Sequence, residues 1–331
     1  MGDLVLVTGG AGYVGSHLTR KLLARGHRVR VLDNFMYGAQ GLDELGPHPD
    51  LELMTGDICK ERDVTRAVRG VRAVVALAAI VGDAACDLDP DRTMSVNYDS
   101  TRVMLEACRA ARVERLVFAS SCSVYGANGT DTVDEDSNLN PVSLYARTRI
   151  MSEELLLAQH DVDVIILRLA TVCGVSARMR FDLMVNTMTA CASAQGAIRV
   201  SGAKQWRPHL HVQDAAGAFL RSVEAAPRAE NIFNVGTSEQ NFTVGEIAER
   251  VAQQVPNTAI EYAPNGHDLR SYRVSFERIK SVLGFAGVHT VDDAIGEVGR
   301  LMTSGAVPDF RQDQFHNAKW LSATGRLQGA A

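Results

Sequence analysis

The 331-residue sequence has no apolar run near the roughly 20 residues that span a bilayer, so no membrane-crossing helix is expected. It also has no basic tract. Its 34 Lys and Arg residues are interspersed with 39 Asp and Glu for a net charge of −5, and no nucleic acid held by phosphate neutralisation is expected. The opening MGDLVLVTGG lacks the basic start and long apolar centre of a secretory leader, and Leu6 stands where a myristoylation signal needs Ser or Thr. Cysteine is sparse and unpatterned. Cys59, Cys86, Cys108, Cys122, Cys173 and Cys191 form no C-x-x-C pair, so free thiols are expected rather than a disulfide framework. His209-Leu210-His211 comes nearest to a metal-ligand pattern, but no Cys or carboxylate lies at metal spacing and no metal is expected. Internal repeats and low-complexity stretches are absent as well. What remains is a globular composition, 46% hydrophobic and 22% charged, long enough for one large or two ordinary domains. A cytoplasmic protein is expected.

The first half alternates strand and helix patterns. Leu4–Thr8, Arg28–Asp33, Leu51–Thr55 and residues 73–77, 115–120 and 162–169 read as strands; 12–25, 60–69, 91–111 and 144–159 read as helices. Such alternation implies an α/β fold, a Rossmann-type doubly wound parallel sheet covered on both faces. After about residue 174 the rhythm breaks into shorter segments: strands at 197–200, 209–212 and 231–235, helices at 213–225, 243–254 and 291–303. We therefore expect a dinucleotide-binding domain over 1–174, to which 209–236 returns, and a smaller, discontinuous substrate domain over 175–331. The closing GRLQGAA is expected to be mobile.

Between the first strand and the first helix lies Thr8-Gly9-Gly10-Ala11-Gly12-Tyr13-Val14-Gly15. Gly9 permits a tight turn, Gly12 lets backbone approach a pyrophosphate, and Gly15 lets helix pack on strand. The helix start then offers free N–H groups to the phosphates. Gly9, Gly12, Tyr13, Val14 and Gly15 are the first cofactor candidates. Asp33, 18 residues beyond Gly15, closes the second strand. A carboxylate there accepts from both adenosine ribose hydroxyls and repels a 2′-phosphate, which selects NAD over NADP. Asn34 joins it.

The G-x-x-G-x-x-G spacing resembles the extended branch of the short-chain dehydrogenase/reductase superfamily, the nucleotide-sugar epimerases and dehydratases. Further stretches match in order over about residues 3–300. Gly56-Asp57-Ile58 resembles that family's adenine segment, and Leu77-Ala78-Ala79 its fourth-strand end against the cofactor. Asn97 falls in an N-x-x-x-T pattern, and residues 118–126 (FASSCSVYG) resemble the fifth-strand signature. Tyr145 and Arg149 stand where the family has Y-x-x-x-K, and residues 206–214 (WRPHLHVQD) resemble its R-x-x-x-H-V-x-D segment. The resemblance implies NAD contacts at Asp57, Ile58, Leu77, Ala78, Ala79, Asn97, Tyr145 and Arg149. It also implies a homodimer built on the helices at 91–111 and 144–159. These carry apolar residues around more than one face: Val96, Val103, Met104 and Leu105 on one, Ile150, Met151, Leu155 and Leu156 on the other.

Oxidising a secondary alcohol needs a base for the hydroxyl proton. A tyrosine serves if its pKa of about 10 is brought towards 7, about 4 kcal/mol of differential stabilisation. Arg149, four residues after Tyr145, places a fixed cation on the same helix face. Arginine keeps the charge of the family's lysine but brings a wider, planar fork. Ser121 would orient the substrate oxygen. Where the family's 4,6-dehydratases place an acid pair, this chain has Cys122 and Ser123, which disfavours that elimination; Ser123 is instead a candidate substrate contact, and Cys122 a small buried filler. Arg207 resembles the arginine that meets the substrate diphosphate. Arg270, in His267-Asp268-Leu269-Arg270, resembles part of the same clamp. Arg178 and Arg180 are further candidates, read as surface charges; His211 is read as structural, and Phe181, Met184 and Met188 as packing.

Three readings stay open. The first is an NAD-dependent 4-epimerase of a nucleotide sugar. The second is a ketoreductase, decarboxylase or unusual dehydratase of an activated sugar or nucleoside. The third is a catalytically silent NAD-binding sensor or scaffold.

Overall fold

Seven short segments rich in β-branched and aliphatic residues pair edge to edge in the computed structural model, which describes residues 2–263 and 270–325. They are β1 (Leu4–Thr8), β2 (Arg28–Asp33), β3 (Leu51–Thr55), β4 (Ala73–Ala76), β5 (Arg115–Ser121), β6 (Asp163–Leu169) and β7 (Ile232–Val235). Their order is β7-β6-β5-β4-β1-β2-β3, and every pair is parallel. The chain winds outward from β1 to β3, then crosses back to β4 on the other side of β1. That reversal opens a crevice beyond the carboxyl ends of β1 and β4, where ligands of open α/β sheets bind.

Both faces of the sheet are covered, which is why its strands read as nearly continuous apolar runs. Val5 and Val7 of β1 pack with Leu18 and Leu22 of α1 (Gly15–Ala24) on one side. Leu4 and Leu6 point the other way, towards Met104 and Leu105 of α2 (Ser100–Ala110) and Leu156 of α3 (Leu144–Leu157). Each such side chain, fully buried, contributes about 1.5–3 kcal/mol. A separate core joins Val185 of α4 (Met184–Gln195) to Ile247 and Val251 of α6 (Val244–Gln254) and Ile295 of α7 (Val291–Thr303). Between them, α5 (Val212–Val223) lays Ala215 and Phe219 on the central sheet. Its cap is His211, whose Nδ1 accepts from Gln213 N–H at 3.2 Å while Nε2 meets Glu297 at 3.1 Å. His211 is thus structural, as read from the sequence.

The long helix expected over 91–111 is broken. A short helix, Pro90–Met94, runs into a π-helical turn, Ser95–Asp99, before α2. The widened turn coincides with side chains that compete for its backbone. Ser100 Oγ donates to Val96 O at 2.6 Å, and Thr101 Oγ1 to Asn97 O at 3.3 Å. The strand expected at 209–212 starts earlier, at Trp206, and ends at His211. The tail expected to be mobile lies, past Gly325, outside the described residues.

Candidate functional site

Over the crevice runs a groove of about 1030 Å³, floored by the glycine turn and the ends of β1, β2, β4 and β5. The glycines are required by geometry. Gly9 has φ +72°, and a Cβ on it would lie 2.9 Å from the Ala78 backbone nitrogen. A Cβ on Gly15 would lie 2.1 Å from Gly9 O, so any side chain there would push α1 off the turn. The first turn of α1 carries no acidic residue, and its N-terminus opens on the groove, as a phosphate site requires. Asp33 is fixed at the end of β2: Oδ2 accepts from Ala11 N–H at 3.1 Å and Oδ1 from Phe35 N–H at 2.8 Å. Burial raises its pKa, and those backbone N–H groups oppose the rise. Each oxygen keeps a lone pair for a ribose hydroxyl. The groove wall just beyond Asp33 is Asn34, Met36, Tyr37 and Gly38, without a basic residue.

Every cofactor candidate lines this groove except Asn97. Asn97 is buried behind the wall. Its amide donates to Ile80 O and accepts from Ile80 N–H, both at 2.9 Å, clamping the loop after β4 instead of facing a ligand. Asp57 does face the groove. Burial works against its charge, yet Cys59 N–H at 2.9 Å and Arg92 at 3.0 Å hold its carboxyl below the usual range.

Ser143 caps α3 by accepting from Ala146 N–H, which sets Tyr145 in the first turn. The rotation of α3 is fixed from behind. Ser152 donates to Asn97 O at 2.9 Å, and Glu153 takes a two-pronged ion pair from Arg168 of β6, with contacts of 2.6 to 3.1 Å, and a hydrogen bond from Ser120. Tyr145, Arg149 and Ser121 therefore share one wall of the groove. Arg149 is 3% exposed; Nη1 donates to Ala119 O at 3.1 Å, while Nε and Nη2 have no partner among the described residues. A buried guanidinium with two unpartnered nitrogens beside a dinucleotide groove fits a hand for the nicotinamide ribose. Burial pushes the Tyr145 phenol above its ordinary value, against the pull of Arg149. Burial and Arg149 thus act on this phenol in opposite directions.

Ser121 Oγ accepts from Ser123 N–H at 3.2 Å, and Ser123 Oγ is buried without a partner among the described residues. Cys122 is a filler: it is 1% exposed, its Sγ lies 3.2 Å from Arg168 O, and burial keeps it a thiol. Arg207 reaches Trp206 O at 2.8 Å and Arg270 O, and Arg270 pairs with Asp83 at 2.7 Å; both arginines line the groove. His267, Asp268 and Leu269 lie outside the described residues. Arg178 and Arg180 correct the sequence reading. They are buried, 6% and 8% exposed, and line the groove instead of the surface. Phe181 is packing, whereas Met184 and Met188 also reach the groove wall.

Sequence reasoning missed the C-terminal helix α8 (Asn317–Thr324), whose start lines the groove. Asn317 N–H donates to Asp182 at 3.0 Å and its Nδ2 to Val81 O at 3.1 Å, while Trp320 Nε1 donates to Met36 O at 2.8 Å. Nothing local signals contacts that span more than 130 residues.

A glycine turn, an acid closing β2 and a Tyr–Arg pair at one sheet switch point define a Rossmann-type fold of the extended short-chain dehydrogenase/reductase kind. The chain belongs to the NAD dependent epimerase/dehydratase family, whose model matches residues 5–236. It is 29% identical over 264 residues to a protein of Oryza sativa subsp. japonica named "Probable UDP-arabinose 4-epimerase 3", covering 70% of this chain and 65% of that one. It is 38% identical over 168 residues to a "3 beta-hydroxysteroid dehydrogenase/Delta 5-->4-isomerase" of Mycobacterium tuberculosis, covering 48% of this chain and 43% of that one. The chain thus spans less than two thirds of the length of either relative. The NAD complex of the Thermus thermophilus UDP-glucose 4-epimerase superposes with a TM-score of 0.78 at 28% identity, over 92% of this chain and all of that one.

Proposed function

We propose that this chain is an NAD-dependent 4-epimerase of a nucleotide sugar. The observation that carries the reading is the shared wall: Ser121, Tyr145 and Arg149 face the groove that the glycine turn and Asp33 floor. Gly9, Gly12 and Gly15 would admit the pyrophosphate, Asp33 the adenosine ribose, and Arg149 the nicotinamide ribose. When bound, NAD supplies a reversible two-electron acceptor beside the sugar carbon. Ser121 would hold the sugar oxygen by a hydrogen bond. Tyr145 would take the hydroxyl proton as the alcohol becomes a ketone, and return it once the ketone has presented its other face. Arg207 and Arg270 would hold the diphosphate. Water elimination has little support, since a buried thiol and a serine stand where an acid pair would be needed.

The same reading includes a homodimer and a cytoplasmic location. Met104, Leu105 and Leu156 turn inward, but Val103, Ile150, Met151 and Leu155 stay half-buried on α2 and α3. All six cysteines are free, which suits a reducing compartment. No helix among the described residues is long and apolar enough to cross a membrane.

The test is a mass spectrum of the ligand released by denaturing the purified protein, with proton NMR of UDP-glucose incubated with it. NAD in the spectrum, UDP-galactose appearing, and no accumulating reduced nicotinamide are expected. Stoichiometric NADPH consumption would point to a ketoreductase. Bound NAD with no turnover of any sugar nucleotide would point to a sensor.

A further inference from the structure

Two arginines lie side by side in the groove, and only one has a counter-charge among the described residues. Both stand on the segment between the strand Thr171–Cys173 and α4. Arg180 is neutralised by Asp182, Nε and Nη2 donating to the two carboxylate oxygens at 2.9 and 3.0 Å. Arg178 has no such partner among those residues. Its Nη2 donates to the neutral Asn317 Oδ1 at 2.8 Å, its guanidinium carbon lies 4.3 Å from the centre of the Tyr37 ring, and its Nε is bonded to nothing among them. The Tyr37 hydroxyl is likewise buried without a partner among the described residues. Burial and the positive charge of Arg180 lower the Arg178 pKa to about 10. The neighbouring carboxylate, Asp182, is already bound to Arg180 and to Asn317 N–H.

A buried, uncompensated guanidinium is costly unless a ligand brings the anion. Four anions could do so, and in the reading above the cofactor pyrophosphate already has the glycine turn and the start of α1. A cofactor 2′-phosphate conflicts with Asp33, whose carboxylate would face it. The substrate diphosphate already has Arg207 and Arg270 in the reading above. The remaining source is the sugar. The pair lies on the side of the reacting carbon, because Tyr37, on whose ring Arg178 sits, packs against the same apolar cluster as Tyr145, around Ile80, Ala85 and Cys86. In a hexose oxidised at C4, the nearest position for an anion is the exocyclic carbon on C5.

Resting on the nucleotide-sugar reading, we propose that the natural substrate is a uronic acid. Its carboxylate docks on Arg178 and the Tyr37 hydroxyl, with Asn317 holding the guanidinium in place. Charge-assisted bonds of this kind set a preference of about tenfold or more for the acid over the neutral sugar.

Calorimetric titration of the protein as purified with UDP-glucuronic acid and with UDP-glucose reads this directly. The acid is expected to bind at least about tenfold tighter, Arg178→Gln to bring the ratio of affinities close to one, and Arg178→Lys to keep part of it. Tyr37→Phe is expected to reduce the ratio to a smaller extent; with the wild-type ratio it decides the matter if Arg178→Gln does not fold. Equal binding of the two sugars by the wild type overturns the proposal and leaves the nucleotide-sugar reading standing. So does an equal loss for both sugars in Arg178→Gln, which would assign Arg178 to the diphosphate. Binding of neither sugar overturns both.

Discussion

One helical turn separates Tyr145 from Arg149, and the guanidinium carbon of Arg149 lies 5.1 Å from the centre of the Tyr145 ring. The cation also lies 5.4 Å from the Phe118 ring and is fixed by Ala119 O, so it cannot swing away to solvent. Its effect on the phenol is to oppose the upward push of burial. Removing it raises the phenol further. With the phenolate as the proposed base, the rising limb of the pH–rate profile should move to higher pH in Arg149→Ala, towards or past the free phenol's value of about 10. Arg149→Lys should keep a profile near that of the wild type. An unmoved limb in Arg149→Ala would remove Arg149 from this role.

Tyr145→Phe deletes the proposed base and little of the proposed cofactor seat. Turnover should fall by about 100- to 10,000-fold, the usual weight of a general base. NAD released on denaturation should remain at the wild-type amount. Full activity in this variant would show that the proton leaves by another route.

The buried ion pair behind α3 yields a stability prediction. Glu153 and Arg168 are 2% and 3% exposed, with Arg168 also donating to the Tyr125 hydroxyl at 3.0 Å. Glu153→Ala strands a buried guanidinium and should cost about 3–5 kcal/mol in urea unfolding. Replacing both partners, Glu153→Leu with Arg168→Met, should recover a large part of that loss, because no uncompensated charge remains.

The parts of this molecule that the sequence discloses are those with local causes. Glycines at 9 and 15 sit between a strand and a helix because only a residue without a side chain fits there, a side chain at Gly12 would be tight against Gly9 O at 3.1 Å, and Asp33 ends its strand. Tyr145 and Arg149 are legible because i and i+4 share a helix face. Asn97 misled for the opposite reason: a motif position does not tell which way an amide points, and here it turns to Ile80. The burial of Arg178 was invisible for a related reason, since Tyr37 and Asn317 reach it from 141 positions before it and 139 after it in the chain. The π-helical turn likewise coincides with side-chain hydrogen bonds to its backbone, which periodicity does not show.

The half-buried apolar residues of α2 and α3 lead to a prediction about assembly. Light scattering at micromolar concentration should give twice the mass of the 331-residue chain. Ile150→Glu or Leu155→Glu should give a monomer, since a charge at a buried interface is costly. A monomer mass for the wild type would contradict the dimer.

The central claim is that one sugar carbon loses its hydrogen to bound NAD and regains that same hydrogen. UDP-sugar carrying deuterium at C4, incubated with the purified protein in ordinary water and followed by NMR and mass spectrometry, tests it most directly. The account predicts a C4-inverted product that retains the deuterium at C4, with none in solvent. Inversion with loss of the label to water, or no inversion at any carbon, would contradict it.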